Sequence, residues 1–172
     1  MIDKNFGFTL VEILVTLAIT SLLVGVLITY NRTGGLQILI FKDQARVINM
    51  VLRAKSLAVQ IFSQSIPVCG YGVHFDSVNK SFILFKDLAD PCSGSDNRYS
   101  GSTEDLEIIN LDSQLKFSNL ELTDILFIPP EPIVIIDGDS GKSGDFLIEL
   151  DTIRGGSPKI IKVNNFGQVS TQ

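Results

Sequence analysis

The side chains able to do chemistry in this sequence are few and far apart. His74 is its one histidine, set between Val73 and Phe75 in an alternating apolar run. No Ser/His/Asp constellation and no His/Cys metal spacing can be assembled around it. Residues 137–145, Asp-Gly-Asp-Ser-Gly-Lys-Ser-Gly-Asp, have the composition of a calcium loop. An EF-hand would need Gly where Lys142 stands and Glu where Ile148 stands, so the spacing fails. Gly141-Lys142-Ser143 matches the end of a phosphate loop, but Ile136 occupies the first glycine position. No catalytic residue, cofactor or metal site is expected, and the chain reads as a non-enzyme. What remains is one carboxylate in an unusual place, Glu12, and one pair of thiols, Cys69 and Cys92.

From residue 8 to residue 30 the chain reads FTLVEILVTLAITSLLVGVLITY, in which Glu12 is the single side chain charged at neutral pH. As a helix this stretch spans roughly 34 Å, against about 30 Å for the hydrocarbon core of a bilayer. A transmembrane helix follows from length and hydropathy. No second apolar run approaches that length, so one crossing is expected. A secretory signal has a shorter apolar region closed by a small-residue cleavage site, and no such site closes this one. An uncleaved signal anchor would have the same apolar length and stays open on hydropathy alone.

The remainder has room for one domain. Fourteen Lys and Arg against 19 Asp and Glu leave a net charge of −5, without the basic surplus of a dedicated nucleic-acid binder. Mean hydropathy is +0.30, and the N-terminal block supplies much of it.

The edge of that block is the informative part. Lys4-Asn5-Phe6-Gly7-Phe8-Thr9-Leu10-Val11-Glu12 leads into apolar residues up to Ile28. This resembles the type IV prepilin signal: a short polar leader ending in Gly, then Phe, then Thr-Leu-hydrophobic-Glu and the apolar helix. The resemblance implies that residues 1–7 are a leader removed by a prepilin peptidase. Cleavage would fall after Gly7, and the new amine of Phe8 would be methylated. Glycine suits the cut because an extended backbone without Cβ enters a tight cleft. In this family the Glu is held to attract the N-terminus of a neighbouring subunit, which gives Glu12 an assembly role. Intramembrane carboxylates are paired or functional by default, although a carboxylate snorkelling at the bilayer edge needs no partner. As a helix, residues 8–12 would set Phe8 and Glu12 one turn apart on one face. Charge counting runs the other way: Lys4 precedes the span, whereas Arg32, Lys42 and Arg46 follow it. The prepilin junction nonetheless requires a cytoplasmic leader, and long domains translocate largely regardless of charge.

Residues 31–65 read as an amphipathic second half of the helix. Phe41, Ala45, Ile48, Leu52, Val59 and Phe62 form one apolar seam, interrupted by Lys55. Ile40, Val47, Val51, Ala54, Ala58 and Ile61 form a second, and Lys42, Arg46, Asn49, Arg53, Ser56, Gln60 and Ser63 mark a polar stripe. Gly34-Gly35 is where a bend is expected, at roughly 1 kcal/mol per glycine. Leu52-Arg53-Ala54-Lys55-Ser56-Leu57-Ala58-Val59, followed by Ile66-Pro67-Val68, is similar to the GspH/FimT branch of minor pilins and pseudopilins.

From residue 66 to 172 the period becomes strand-like. Residues 68–75 and 81–86 flank a polar turn at 76–80 and predict a hairpin. Further runs fall at 106–111, 115–122, 125–128, 133–136, 146–150 and 159–163, with a closing hairpin through 160–169. The expected fold is α+β and pilin-like, a long N-terminal helix packed on an antiparallel sheet. Residues 87–105 read as a polar surface loop, a candidate contact surface or a plain connection. Outside the cytoplasm, where the resemblance places this domain, Cys69 and Cys92 are expected to form a disulfide. Two buried free thiols are the alternative.

The resemblance implies a minor pilin or pseudopilin subunit. Its partners would be other pilin or pseudopilin subunits, the prepilin peptidase, an inner-membrane assembly platform and membrane lipid. It would cross the inner membrane once, with its C-terminal domain outside the cytoplasm. The competing function is a DNA-binding minor pilin for natural transformation. Residues 167–172 carry no Lys or Arg to neutralise phosphates, so nucleic acid is not an expected partner.

Overall fold

The computed structural model describes residues 8–60, 68–129, 133–142, 145–153 and 157–172. Gly7, the other leader residues, and Ile61, Phe62, Ser63, Ile66 and Pro67 lie outside them. The chain divides into two compact units, Met1–Ile38 and Leu39–Gln172, and one helix, α1 (Leu10–Gln60), contributes to both.

In the first unit the helix is lined with exposed apolar side chains from Leu10 to Ile28, a stretch long and apolar enough to cross a membrane. The expected bend at Gly34-Gly35 does not interrupt it, because both glycines are helical. A Cβ at either would meet nothing within 4 Å, so only their propensity cost of about 1 kcal/mol each acts there. Helical cooperativity over 51 residues absorbs that cost.

Among the described residues of the second unit, α1 packs on a body of nine strands. They are β1 (Val68–Asp76), β2 (Ser81–Leu88), β3 (Asp105–Asn110), β4 (Leu115–Leu120), β5 (Asp124–Ile128), β6 (Ile133–Ile136), β7 (Asp145–Thr152), β8 (Lys159–Asn164) and β9 (Val169–Thr171). They form two antiparallel sheets rather than one, in the orders β3-β2-β1-β5-β6 and β4-β7-β8-β9. The β1–β2 turn is tied by the Asp76 carboxylate, which accepts the Val78 and Asn79 N–H groups at 2.9 Å each. This frees Lys80 to take a positive φ of 53°.

Of the two apolar seams on α1, the structure buries the second. Ile40, Val47, Val51, Ala54 and Ala58 are sealed, together with Met50. Phe41, Leu52 and Val59 of the other seam remain 52, 49 and 51% exposed. The small side chains of Ala54 and Ala58 let the strands approach, and side chains from both sheets complete one core. Phe75, Phe82, Leu84, Ile125 and Phe127 come from the first sheet; Leu115, Ile148, Leu150, Ile161 and Val163 come from the second. Asp43, 1% exposed, is the polar tether: it accepts the Asp112 N–H at 2.7 Å and pairs with Arg46 at 2.8 Å. Lys55 does more than interrupt a seam. Its Nζ reaches the Gly167 carbonyl at 3.4 Å, joining α1 to the β8–β9 turn.

β2 is buried on both faces. Phe82 and Leu84 point to the shared core, while Ile83, Phe85 and Asp87 point the other way. There Phe85 joins Leu126 and Ile135 in a smaller cluster that Tyr99 packs against. The segment between β2 and β3 is therefore a cover for the far side of the sheet.

Candidate functional site: the start of the apolar helix

Glu12 sits in the first turn of α1, and its surroundings follow from one short pattern, Thr-x-x-Glu. The Glu12 Oε2 accepts the Thr9 N–H at 2.9 Å and the Thr9 hydroxyl at 3.0 Å. In return the Glu12 N–H lies 3.3 Å from Thr9 Oγ1. This is a reciprocal capping box that satisfies amides left orphaned by the helix start. It also corrects the expected geometry: Thr9 is the cap, the helix begins at Leu10, and Phe8 precedes it. Phe8 and Glu12 thus do not share a helical face in the described chain. Phe8 is 81% exposed. Both bonds from Thr9 fall on Oε2, and Oε1 takes no hydrogen bond among the described residues. The capping role of Thr9 was legible from its spacing to Glu12, yet easily passed over inside an apolar run.

The other polar groups of the span are satisfied within their own helix. Thr16 Oγ1 donates to the Ile13 carbonyl at 2.9 Å, Thr20 Oγ1 to Thr16 at 2.8 Å and Ser21 Oγ to Ala18 at 2.9 Å. Such back-bonding lets hydroxyls sit in a medium without water. Glu12 is the one ionisable side chain from residue 8 to residue 28.

In the second unit the Sγ atoms of Cys69 and Cys92 are joined in a disulfide, with a Cα–Cα distance of 5.3 Å. It pins the segment after β2 to the start of β1. A polar network holds the rest of that segment. Tyr99 stacks on His74 with ring centroids 4.5 Å apart and donates its hydroxyl to Asp105 at 2.7 Å. His74 Nδ1 lies 2.8 Å from Asp124 Oδ1. Ser95 donates to the buried Asp87, Ser100 N–H donates to Glu104 at 2.7 Å, and the Arg98 guanidinium donates to the Asp137 carbonyl. Burial raises the pKa of Asp87, against the hydrogen bond from Ser95. Burial also pushes the Tyr99 phenol up to about 12, with the hydrogen bond to Asp105 adding to it. Neither Tyr99 nor Arg98 stood out in the sequence.

The Asp137 carboxylate is filled from within the chain. Its Oδ1 accepts the Thr123 N–H at 2.7 Å, the Thr123 hydroxyl at 2.8 Å and the Asp124 N–H at 2.9 Å. Lys142 Nζ donates to its Oδ2 at 2.6 Å. Burial alone would raise its pKa, but these donors together hold it below the ordinary value. Among the described residues no group of three or more His, Cys, Asp or Glu is placed to hold a metal.

Residues 2–28 match the prokaryotic N-terminal methylation motif. Among solved structures the chain is similar to the minor pseudopilin EpsH from the Type 2 Secretion System of Vibrio cholerae. The two are 13% identical, with a TM-score of 0.49 over 78% of this chain and 96% of that one. At that identity and score the likeness carries no functional inference. No curated protein matches significantly. The capped apolar helix, its lone carboxylate and the matched motif agree at residue level: the N-terminal segment of this chain is similar to the prokaryotic N-terminal methylation motif.

Proposed function

We propose that the chain is a minor pilin or pseudopilin subunit of the GspH/FimT type, assembling through α1 into a type IV pilus or a type II secretion pseudopilus. The observation that carries this reading is an apolar helix none of whose spanning window is buried, with one carboxylate at its first turn. A soluble domain would bury such a surface; a subunit held in lipid and then in a filament covers it with other molecules. Prepilin peptidase would cut after Gly7 and the amine of Phe8 would be methylated. The chain would cross the inner membrane once, with the β-rich unit outside the cytoplasm. Its partners would be membrane lipid, the assembly platform and other subunits, and Glu12 would meet the N-terminus of a neighbour.

Mass spectrometry of the protein from its native membrane tests the reading. The expected mass is that of residues 8–172 carrying one added methyl group. A chain that retains Met1 and no methyl would overturn it.

A further inference from the structure

The two ends of the Cys69–Cys92 bridge differ in their access to water. Cys69, the second residue of β1, is 5% exposed. Cys92 opens a short 3₁₀ turn, Cys92–Gly94, none of whose residues is buried, and Cys92 is itself exposed. That turn is braced from within. The Gly94 N–H donates to the Pro91 carbonyl at 2.9 Å, and the Ser95 N–H donates to the Cys92 carbonyl at 3.2 Å. Among the described residues, the tie from residues 89–94 to β1 is the bridge. The anchors that follow belong to later residues: Ser95 on Asp87, Tyr99 on His74 and Ser100 on Glu104.

A thiolate attacks a disulfide in line with the S–S bond, from behind the sulfur it takes, so access decides which sulfur is attacked. Burial shields Cys69, whereas Cys92 faces solvent. Attack at Cys92 makes the Cys69 sulfur the leaving group, and a thiolate is disfavoured where it is buried. The structure answers that cost. The Ala89 carbonyl oxygen lies 3.3 Å from the Cys69 sulfur, placed to accept an S–H once that sulfur has taken a proton.

We propose that Cys92 is a thiol-exchange site through which a small thiol opens the bridge, making it a redox-sensitive clasp on residues 89–94. The incoming thiolate sulfur bonds to Cys92 Sγ and the Sγ–Sγ bond breaks. Its electron pair leaves with Cys69 Sγ, which takes a proton from water. A second thiolate attacks the added sulfur, releases the Cys92 thiolate and leaves the two small thiols joined as their own disulfide. Two electrons have then passed from the small thiols to the bridge. What opens is short, because the chain is anchored again from Ser95 onward. The site needs neither cleavage nor filament formation, and stands apart from the assembly reading.

The test exposes the full chain, folded in non-ionic detergent micelles, briefly to excess reduced glutathione at about pH 8, near the ordinary pKa of a thiol. The reaction is quenched in acidic urea with N-ethylmaleimide. Trypsin then places the two cysteines on separate peptides, residues 56–80 and 87–98. Glutathione is expected on the second peptide and maleimide on the first, with an excess of at least about tenfold over the reverse labelling. In the fully reduced chain, amide hydrogen exchange over residues 89–95 should be about tenfold faster, while Tyr99 and its neighbours keep their protection. Glutathione equally or mainly on residues 56–80 would overturn the proposal. So would a bridge that reacts only after the chain is unfolded in urea, or faster exchange that extends through Tyr99.

Discussion

Replacing both Cys69 and Cys92 with Ala removes the covalent tie between β1 and the segment after β2. The bridge spans a sequence separation of 23, for which loss of the loop constraint on the unfolded chain costs about 3 kcal/mol. The folded state should suffer far less. Tyr99 still stacks on His74, Ser95 still reaches Asp87, and Arg98 still binds the Asp137 carbonyl. The expected result is therefore a stability loss without a change of fold. The chain has no tryptophan, so urea unfolding is followed by the β-sheet circular dichroism band. With m of about 1–3 kcal/mol/M, the midpoint should drop by roughly 1–3 M. The slope itself should change little in the folded-state arm. An unchanged midpoint would show that the tie does not constrain the unfolded chain. Collapse of the native spectrum at zero urea would show instead that the polar network cannot hold the segment alone. Either result would refute this division of labour between the disulfide and the polar network.

Three further outcomes are expected. Glu12→Gln keeps a side chain able to cap Thr9 but removes the charge, whereas Thr9→Val keeps the charge and removes the hydroxyl. If the charge serves assembly, filament incorporation measured by shearing and immunoblot should fail for Glu12→Gln and survive for Thr9→Val; the opposite order would make the cap the important part. Gly72→Ala would place a Cβ 2.5 Å from the Ile125 carbonyl oxygen and 2.5 Å from the Phe85 ring. The strand pairing cannot yield to it, so a loss of about 3 kcal/mol is expected, whereas Gly94→Ala, with nothing within 4 Å, should be neutral in the same melt. Asp87 and Asp137 should pull stability in opposite directions with pH. The Asp87 pKa is raised above 3.8 by folding, so its protonation favours the fold and stability rises as pH falls through that raised value. The Asp137 pKa is lowered below 3.8, so its contribution is present above that pH and lost below it. Asp87→Asn should flatten the first trend and Asp137→Asn the second, read from urea midpoints between pH 3 and 7.

The strands were legible where turn chemistry bounds them. β6 begins soon after Pro129 and ends at Asp137-Gly138, whose residues both take positive φ, and its limits follow from those punctuators. Their division into two sheets was not legible, because pairing depends on long-range packing that alternation does not encode. The phase of α1 was also ambiguous. Two seams of similar hydrophobicity lie side by side, and the buried one is that with Ala54 and Ala58, whose advantage is small size rather than greater apolarity. Tyr99 was hidden for a related reason. A single aromatic among Asp, Ser and Asn gives no period, and its function depends on Phe85 and His74, which belong to other elements.

The lone carboxylate in the apolar helix raises a conflict that the geometry resolves. A side chain committed to capping its own helix would seem unavailable to another subunit. Yet both Thr9 donors fall on Oε2, and an ionised carboxylate has acceptor sites on both oxygens. The cap fixes the rotamer, and among the described residues Oε1 takes no hydrogen bond. Holding the charge still lowers the ordering cost of any later ion pair, and the same bonds satisfy the carboxylate from within the chain. On the proposed assembly role, capping and pairing would be successive uses of one side chain: Thr9 orients the carboxylate, and its second oxygen would meet a neighbouring N-terminus.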